Sequence, residues 1–270
     1  MKYRILGNLR VADGNSIILI NAVKMKTLLA ALLLRSNRVV PFEQIVTELW
    51  GDNPPRRASA AVHVYVSQLR KLLKGSGQRK SPILTQPPGY LIRIEEGELD
   101  LDVFLRLTEE CRRHQRDGHH QQIVDLATRA LDMWQEPILS DLHESDAVNR
   151  FSIWLEELRV ELIEMVVDAH LALGRHRESV SYIYSLLQDY PLHETFHRQL
   201  MLALYNSGRT GDALLAYRSA RDSLQRELGL EPNRSLQDLQ QLILQSNGSR
   251  SGISLDRDPR SSHIRWPRSA

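Results

Sequence analysis

Between Pro54 and Tyr90 the spacing of the apolar residues changes character. Val62, Val66, Leu69 and Leu73 recur every three or four residues, with Tyr65 and Leu72 flanking them, which is the signature of one face of a helix. Ala60, His63, Val64, Ser67, Lys71 and Lys74 fall on the opposite face, with Arg70 at its edge. A Gly/Ser/Lys connector follows, and then SPILTQPPGYLI reads as two short strands around a turn at Pro87–Gly89, with Gly89 and Tyr90 in the turn. The pattern therefore predicts a helix over 57–74 and a β-hairpin after it, the layout of a winged helix-turn-helix.

Upstream, Tyr3–Leu6, Leu9–Ala12 and Ser16–Ile20 are short β-rich runs separated by Gly7-Asn8 and Asp13-Gly14-Asn15. The period then lengthens. Lys24–Arg35 (KMKTLLAALLLR) and Phe42–Trp50 (FEQIVTELW) read as helices, the second opened by Pro41 and closed by Gly51-Asp52-Asn53-Pro54-Pro55. From Leu101 the helical period holds to the end of the patterned sequence, with helices expected at 101–117, 120–133, 147–173, 176–188, 194–206, 210–227 and 234–246. GRHRESVSYI at Gly174 is echoed by GRTGDALLAY at Gly208, an offset of 34 residues, the period of tetratricopeptide helix pairs. The expected fold is thus an α+β winged helix-turn-helix domain over 1–96, then an all-α tetratricopeptide-like domain over 97–247. The Ser/Arg-rich stretch 248–270 lacks periodicity and reads as a disordered tail.

Charge sharpens this division. Residues 1–94 carry 15 Lys and Arg against 4 Asp and Glu, a net +11, whereas 95–248 carry 15 against 27, a net −12. The last 22 residues carry 5 against 2, so the overall +2 conceals a basic module joined to an acidic one. A basic module of this kind suits a polyanion. The single cysteine, Cys111, excludes a disulfide and a Cys-based zinc site within the chain. No stretch approaches the roughly 20 apolar residues that cross a bilayer, and the N-terminus does not read as a signal peptide, so a cytoplasmic protein without membrane contact is expected.

No phosphate-binding glycine loop, dinucleotide fingerprint or nucleophile elbow occurs, and no catalytic site is expected. His193 and His197 stand four apart but lack further ligands nearby, so neither a metal nor a cofactor is expected. The chemistry lies instead on the predicted helix 57–74 and its hairpin. Lys71 and Lys74 suit phosphates. Ser59, His63, Ser67 and Arg70 point toward DNA from the same helix, and Val64 offers methyls to a thymine. Arg56 and Arg57 stand at the helix N-terminus, where the dipole also favours phosphate. Gln86, Gly89 and Tyr90 on the hairpin, with Thr85 and Arg93 as weaker candidates, and Lys24 and Lys26 before the first long helix complete the set.

The order LGNLRV, KMKTLLAALLL, ELWGDNPPRRASAAVHVYVSQLRKLL and PPGYLI resembles the Streptomyces antibiotic regulatory protein family, whose DNA-binding part is similar to the winged helix of OmpR-type response regulators. LDVFLRL at 101–107, the LxxxRxELxE run at 155–164, HRQLMLALYNSGRTGDALLAY and LGLEP resemble that family's bacterial transcriptional activation domain. The resemblance covers residues 1–246. It implies a transcriptional activator, pathway-specific for a secondary-metabolite (antibiotic) gene cluster. It also implies double-stranded DNA with direct repeats as ligand, two protomers side by side on it, and recruitment of RNA polymerase. The loop Gly51–Arg57 is then expected to face the polymerase. Two positions depart from the family: Lys26 stands where Arg is usual, keeping the charge without the planar fork, and Asn21-Ala22-Val23 replaces a Gly-rich turn. With no receiver-type phosphoacceptor ahead of the winged helix and no ATPase module after residue 246, control is expected through expression level, protein partners or a ligand on the helical domain. Two other readings stay open at this stage: a promoter-occluding repressor of the same fold, and a helical adaptor or sensor whose basic module binds nucleic acid without sequence preference.

Overall fold

The computed structural model describes residues 1–74, 81–134, 138, 139, 142 and 145–246. The connector at 75–80 and the tail expected at 248–270 lie outside them. The chain divides into two compact units, one built from 1–109 with 129–159, the other from 110–128 with the described part of 160–263.

In the first unit, β1 (Lys2–Arg4), β2 (Arg10–Asp13) and β3 (Ser16–Ile18) form an antiparallel sheet in sequential order. Tyr3 pairs with Val11 and Val11 with Ile18, so the apolar positions of β1 and β2 fall on one face. Three helices follow: α1 (Val23–Leu33), α2 (Phe42–Trp50) and α3 (Ala58–Leu72). Just before α2, Val40–Pro41 forms a two-residue strand, β4, that pairs with the hairpin β5 (Ile83–Gln86) and β6 (Gly89–Ile92) in the order β4-β6-β5. Two residues are too few to show a period, so the sequence pattern marks Pro41 only as a helix start.

The three helices and the hairpin enclose one core. Leu28, Leu29, Leu32 and Leu33 of α1, Ile45 and Leu49 of α2, Val62, Val66 and Leu69 of α3, and Ile83 and Ile92 of the hairpin are all withdrawn from water. Each such side chain contributes about 1.5–3 kcal/mol by burial. Gly89 is a packing requirement. A Cβ there would stand 1.9 Å from the Val40 carbonyl oxygen, because β4 and β6 approach backbone to backbone.

The same unit recruits residues far along the chain. Asp100, the first residue of α4 (Asp100–Asp117), accepts hydrogen bonds from the backbone N–H of Ile5, Leu6 and Leu101 at 2.8–3.1 Å. Burial pushes its pKa up, while those three N–H groups pull it down. Leu139 N–H donates to the Gly7 carbonyl at 2.9 Å, and Ile138, Leu139, Leu142, Val148 and Phe151 are buried. Ser145 donates to Glu48 of α2 at 3.1 Å, and Arg35 pairs with the same carboxylate.

Helices α5 (His120–Leu131) and α6 (Asp146–Ala172) follow α4, then α7 (His176–Asp189), α8 (Glu194–Asn206), α9 (Thr210–Leu228) and α10 (Arg234–Gln245). In the second unit α7 packs on α8, α8 on α9, and α10 on both α8 and α9. The 34-residue echo is structural. At Gly174 and again at Gly208 the helix ends with a left-handed glycine, and the next residue's N–H reaches back five positions, Arg175 to His170 and Arg209 to Leu204. Ser179 and Ala213 are then both buried at the equivalent place, and so are Ile183 and Tyr217. Ser179 donates its hydroxyl to the Arg175 carbonyl at 2.8 Å. His197, whose Nε2 donates to the Pro191 carbonyl at 2.8 Å, and fully buried Gln199, which donates to the Glu164 carbonyl and to Asp168, hold α8 in place. Among the described residues no group of three or more His, Cys, Asp or Glu could hold a metal, and no helix is long and apolar enough to cross a membrane.

Gly89→Ala is expected to destabilise the protein by about 2 kcal/mol or more, because the clashing atoms are backbone and cannot rotate away; a thermal melt would detect it. Asp100→Ala strands three N–H groups and is expected to cost about 1–3 kcal/mol in urea denaturation, with Asp100→Asn recovering part of the loss.

Candidate nucleic-acid interface

The exposed side of α3 carries most of the side chains expected to meet DNA. Its buried stripe holds Ala58, Val62, Val66 and Leu69, with Leu73 just beyond the helix end. At about 100° per residue the opposite side must then carry Ala60, Val64, Ser67 and Lys71, with His63 and Gln68 to either side. All six are exposed. Val64 leaves 51% of its surface in water, which no packing role explains. Gln68 is absent from the side chains the sequence pattern singles out, although its spacing of four from Val64 and three from Lys71 places it on this face.

The wing is fastened to α3 by two of the residues expected to touch DNA. Arg70 Nε donates to the Ile83 carbonyl at 3.0 Å, its Nη2 donates to the Thr85 hydroxyl at 2.7 Å, and the guanidinium lies 5.7 Å from the Tyr90 ring centroid. His63 Nδ1 lies 2.7 Å from the Tyr90 hydroxyl, and its ring also tilts against Phe42 at 5.6 Å. On the other flank Trp50 of α2 stacks on Tyr65 of α3 at 6.5 Å, bracing the helix-turn-helix.

Two expectations for the hairpin change accordingly. The turn is Pro87–Pro88, joined by a cis peptide bond, and not Gly89–Tyr90, which begin β6. Tyr90 is 4% exposed with its hydroxyl committed to His63, and Gly89 is buried against β4, so neither offers a group at the surface. Gln86, Pro87 and Pro88 are exposed at the tip. Thr85 is exposed, but its hydroxyl accepts from Arg70, and Arg93 is exposed past the end of β6.

The remaining candidates divide in the same way. Lys24 is half-buried and its Nζ donates to the Leu49 carbonyl at 2.7 Å, capping the C-terminal end of α2, where a cation also meets the helix dipole. Lys26 sits half-buried one turn into α1. Arg56 and Arg57 are exposed in the loop before α3, with Arg57 at the N-cap position, and Ser59 is exposed in the first turn. Lys74 is exposed one residue past the C-cap. Ser67, Gln68 and Lys71 hold no hydrogen bond or ion pair to another described residue. The surface that α3 presents is therefore one uncommitted cation, two uncommitted polar side chains and an apolar patch, with further cations at both helix ends.

Known proteins match this arrangement along most of its length. Residues 22–92 match the family described as "Transcriptional regulatory protein, C terminal", and residues 99–244 match "Bacterial transcriptional activator domain". Regulatory protein AfsR of Streptomyces coelicolor is 35% identical over 255 residues, 94% of this chain but 25% of AfsR, so the chain spans a quarter of that relative. Regulatory protein DnrI of Streptomyces peucetius is 32% identical over 257 residues, covering 92% of this chain and 93% of DnrI. Among solved structures, Mycobacterium tuberculosis EmbR in complex with a low affinity phosphopeptide superposes with a TM-score of 0.87 at 31% identity, over 91% of this chain and 65% of that one. With both modules matched in order and DnrI matched nearly end to end, the chain belongs to the Streptomyces antibiotic regulatory protein family, in which an OmpR-type winged helix precedes a bacterial transcriptional activator domain.

Proposed function

We propose that this protein is a sequence-specific DNA-binding transcriptional activator, pathway-specific for a secondary-metabolite gene cluster. The observation that carries the reading is the exposed face of α3, polar and cationic, opposite a buried stripe and bordered by a wing hydrogen-bonded to it. Such a face enters the major groove, where side chains meet base edges, while cations at its ends meet phosphates. Arg56, Arg57, Lys71 and Lys74 serve the phosphates, and the hairpin tip follows the adjacent backbone. Residues 1–96 act as the DNA-binding module and 97–247 as the module that holds a second protomer or RNA polymerase.

The relatives support the regulatory half of this reading, since those matched over most of this chain are named as regulatory proteins. Two protomers on direct repeats would set their α3 helices about one helical turn of DNA apart, on one side of the duplex. The exposed loop Gly51–Arg57 is the part of the winged helix assigned to the polymerase. We assign no catalytic role and place the protein in the cytoplasm, where its promoter and polymerase are.

Footprinting on promoter regions with excess nonspecific DNA tests the proposal. Two protected repeats about one turn apart are expected, with binding that weakens steeply with salt, and Lys71→Ala is expected to lower the salt slope by about one. Uniform weak binding to every probe would reject sequence-specific regulation. Transcription in vitro with purified RNA polymerase separates activation, the expected outcome, from promoter occlusion.

A further inference from the structure

We propose that Gln68 is the side chain of α3 that reads a base edge, and that His63 and Arg70 are positioning residues that hold the wing at its angle to that helix. The inference rests on the DNA-binding reading and assigns the work within it.

The assignment follows from which donors and acceptors are already spent. Arg70 is the residue type that most often reads guanine, yet its Nε and Nη2 are bonded to Ile83 and Thr85 of the wing. His63 has Nδ1 against the Tyr90 hydroxyl, and its ring is held between Phe42 and Tyr90. Both sit on the flank of α3 that faces the hairpin. Gln68 sits on the other flank, exposed, with neither end of its amide bonded to another described residue. A glutamine presents one acceptor and one donor together, which matches the N6 amino group and N7 of adenine.

Its neighbours on the helix complete the reading. Val64, one turn before, lies about 40° around the axis and carries methyls that suit a thymine methyl. Lys71, less than a turn after, carries a point charge that suits a phosphate. Apolar, bidentate amide and cation thus follow one another along the helix. Arg70 and His63 act on the same complex differently: they fix the hairpin, so that the tip at Gln86–Pro88 reaches the backbone while α3 occupies the groove.

The test is selection of binding sites by the full-length protein from a randomised double-stranded DNA library, followed by titration of the selected sites at fixed salt. Gln68→Ala is expected to lose the preference for adenine at one position in each repeat, by about ten-fold, with the salt slope unchanged. Gln68→Glu is expected to move that preference toward cytosine, whose N4 amino group only donates. Arg70→Ala and His63→Ala are expected to weaken all selected sites alike, leave the base pattern intact, and speed amide exchange at Ile83–Gln86. Gln68 is exposed, so its variants keep the fold, and a thermal melt verifies this. If Gln68→Ala and Gln68→Glu select the same sequences as the parent, Gln68 reads nothing and the inference falls. Should Arg70→Ala or His63→Ala alter base identity at one position, the positioning assignment falls. A parent protein that selects no sequence at all overturns the DNA-binding reading itself, a result distinct from either.

Discussion

Burial of one stripe of α3 is the constraint on which the winged-helix unit depends. Val62, Val66, Leu69 and Leu73 are nearly or wholly removed from water, against α1, α2 and the hairpin. A helix has only one way to place those four residues inside, and that choice dictates what remains outside. Val64, Ser67, Gln68 and Lys71 are exposed as a geometric consequence of the same helical period. The core and the candidate interface are therefore two sides of a single decision, made by the hydrophobic term and merely inherited by the polar face.

The hairpin is fastened to this helix by packing and by directional polar contacts. A free two-stranded hairpin is marginal in water. Here β4 adds a third strand, Gly89 lets β4 and β6 meet backbone to backbone, and Arg70 and the His63–Tyr90 pair tie the strands to α3. The polar ties lie near the surface and contribute less energy than the core, but they are directional. Apolar packing holds the wing close, while the guanidinium and the imidazole–hydroxyl contact add bonds of fixed direction between the strands and α3.

The helical unit obeys a different economy. Its helices stack on sequence neighbours, α7 on α8 and α8 on α9, and the repeated stop at Gly174 and Gly208 sets where each stack turns. Buried Ser179 donates its hydroxyl to the Arg175 carbonyl one turn back, and the Gln199 amide nitrogen donates across to the Glu164 carbonyl and to Asp168 of α6. Arg112 and Glu161 add a bidentate pair between α4 and α6. Residues 95–248 carry a net −12 and residues 1–94 a net +11, in a chain whose overall charge is only +2.

The linear sequence by itself determined the helices, the longer strands and their order. The three-and-four spacing of α3, the short alternations of β1 to β3 and the 34-residue echo are local, and local periodicity survives without tertiary knowledge; the seven later helices begin and end within two residues of where the pattern places them. It also settled which face of α3 is wet, because the core stripe leaves no alternative. Tertiary structure decided what each polar residue on that face does. Lys24, Arg70 and His63 look equivalent to Lys71 and Gln68 in a list of polar side chains, but Leu49, Ile83, Thr85 and Tyr90 lie many residues away and are brought to them only by folding. The strand β4, the buried place of Tyr90 and the recruitment of Leu139 and Ser145 to the first unit belong to the same class. Each depends on a partner distant in sequence, and a pattern read along the chain carries periodicity but not partnership.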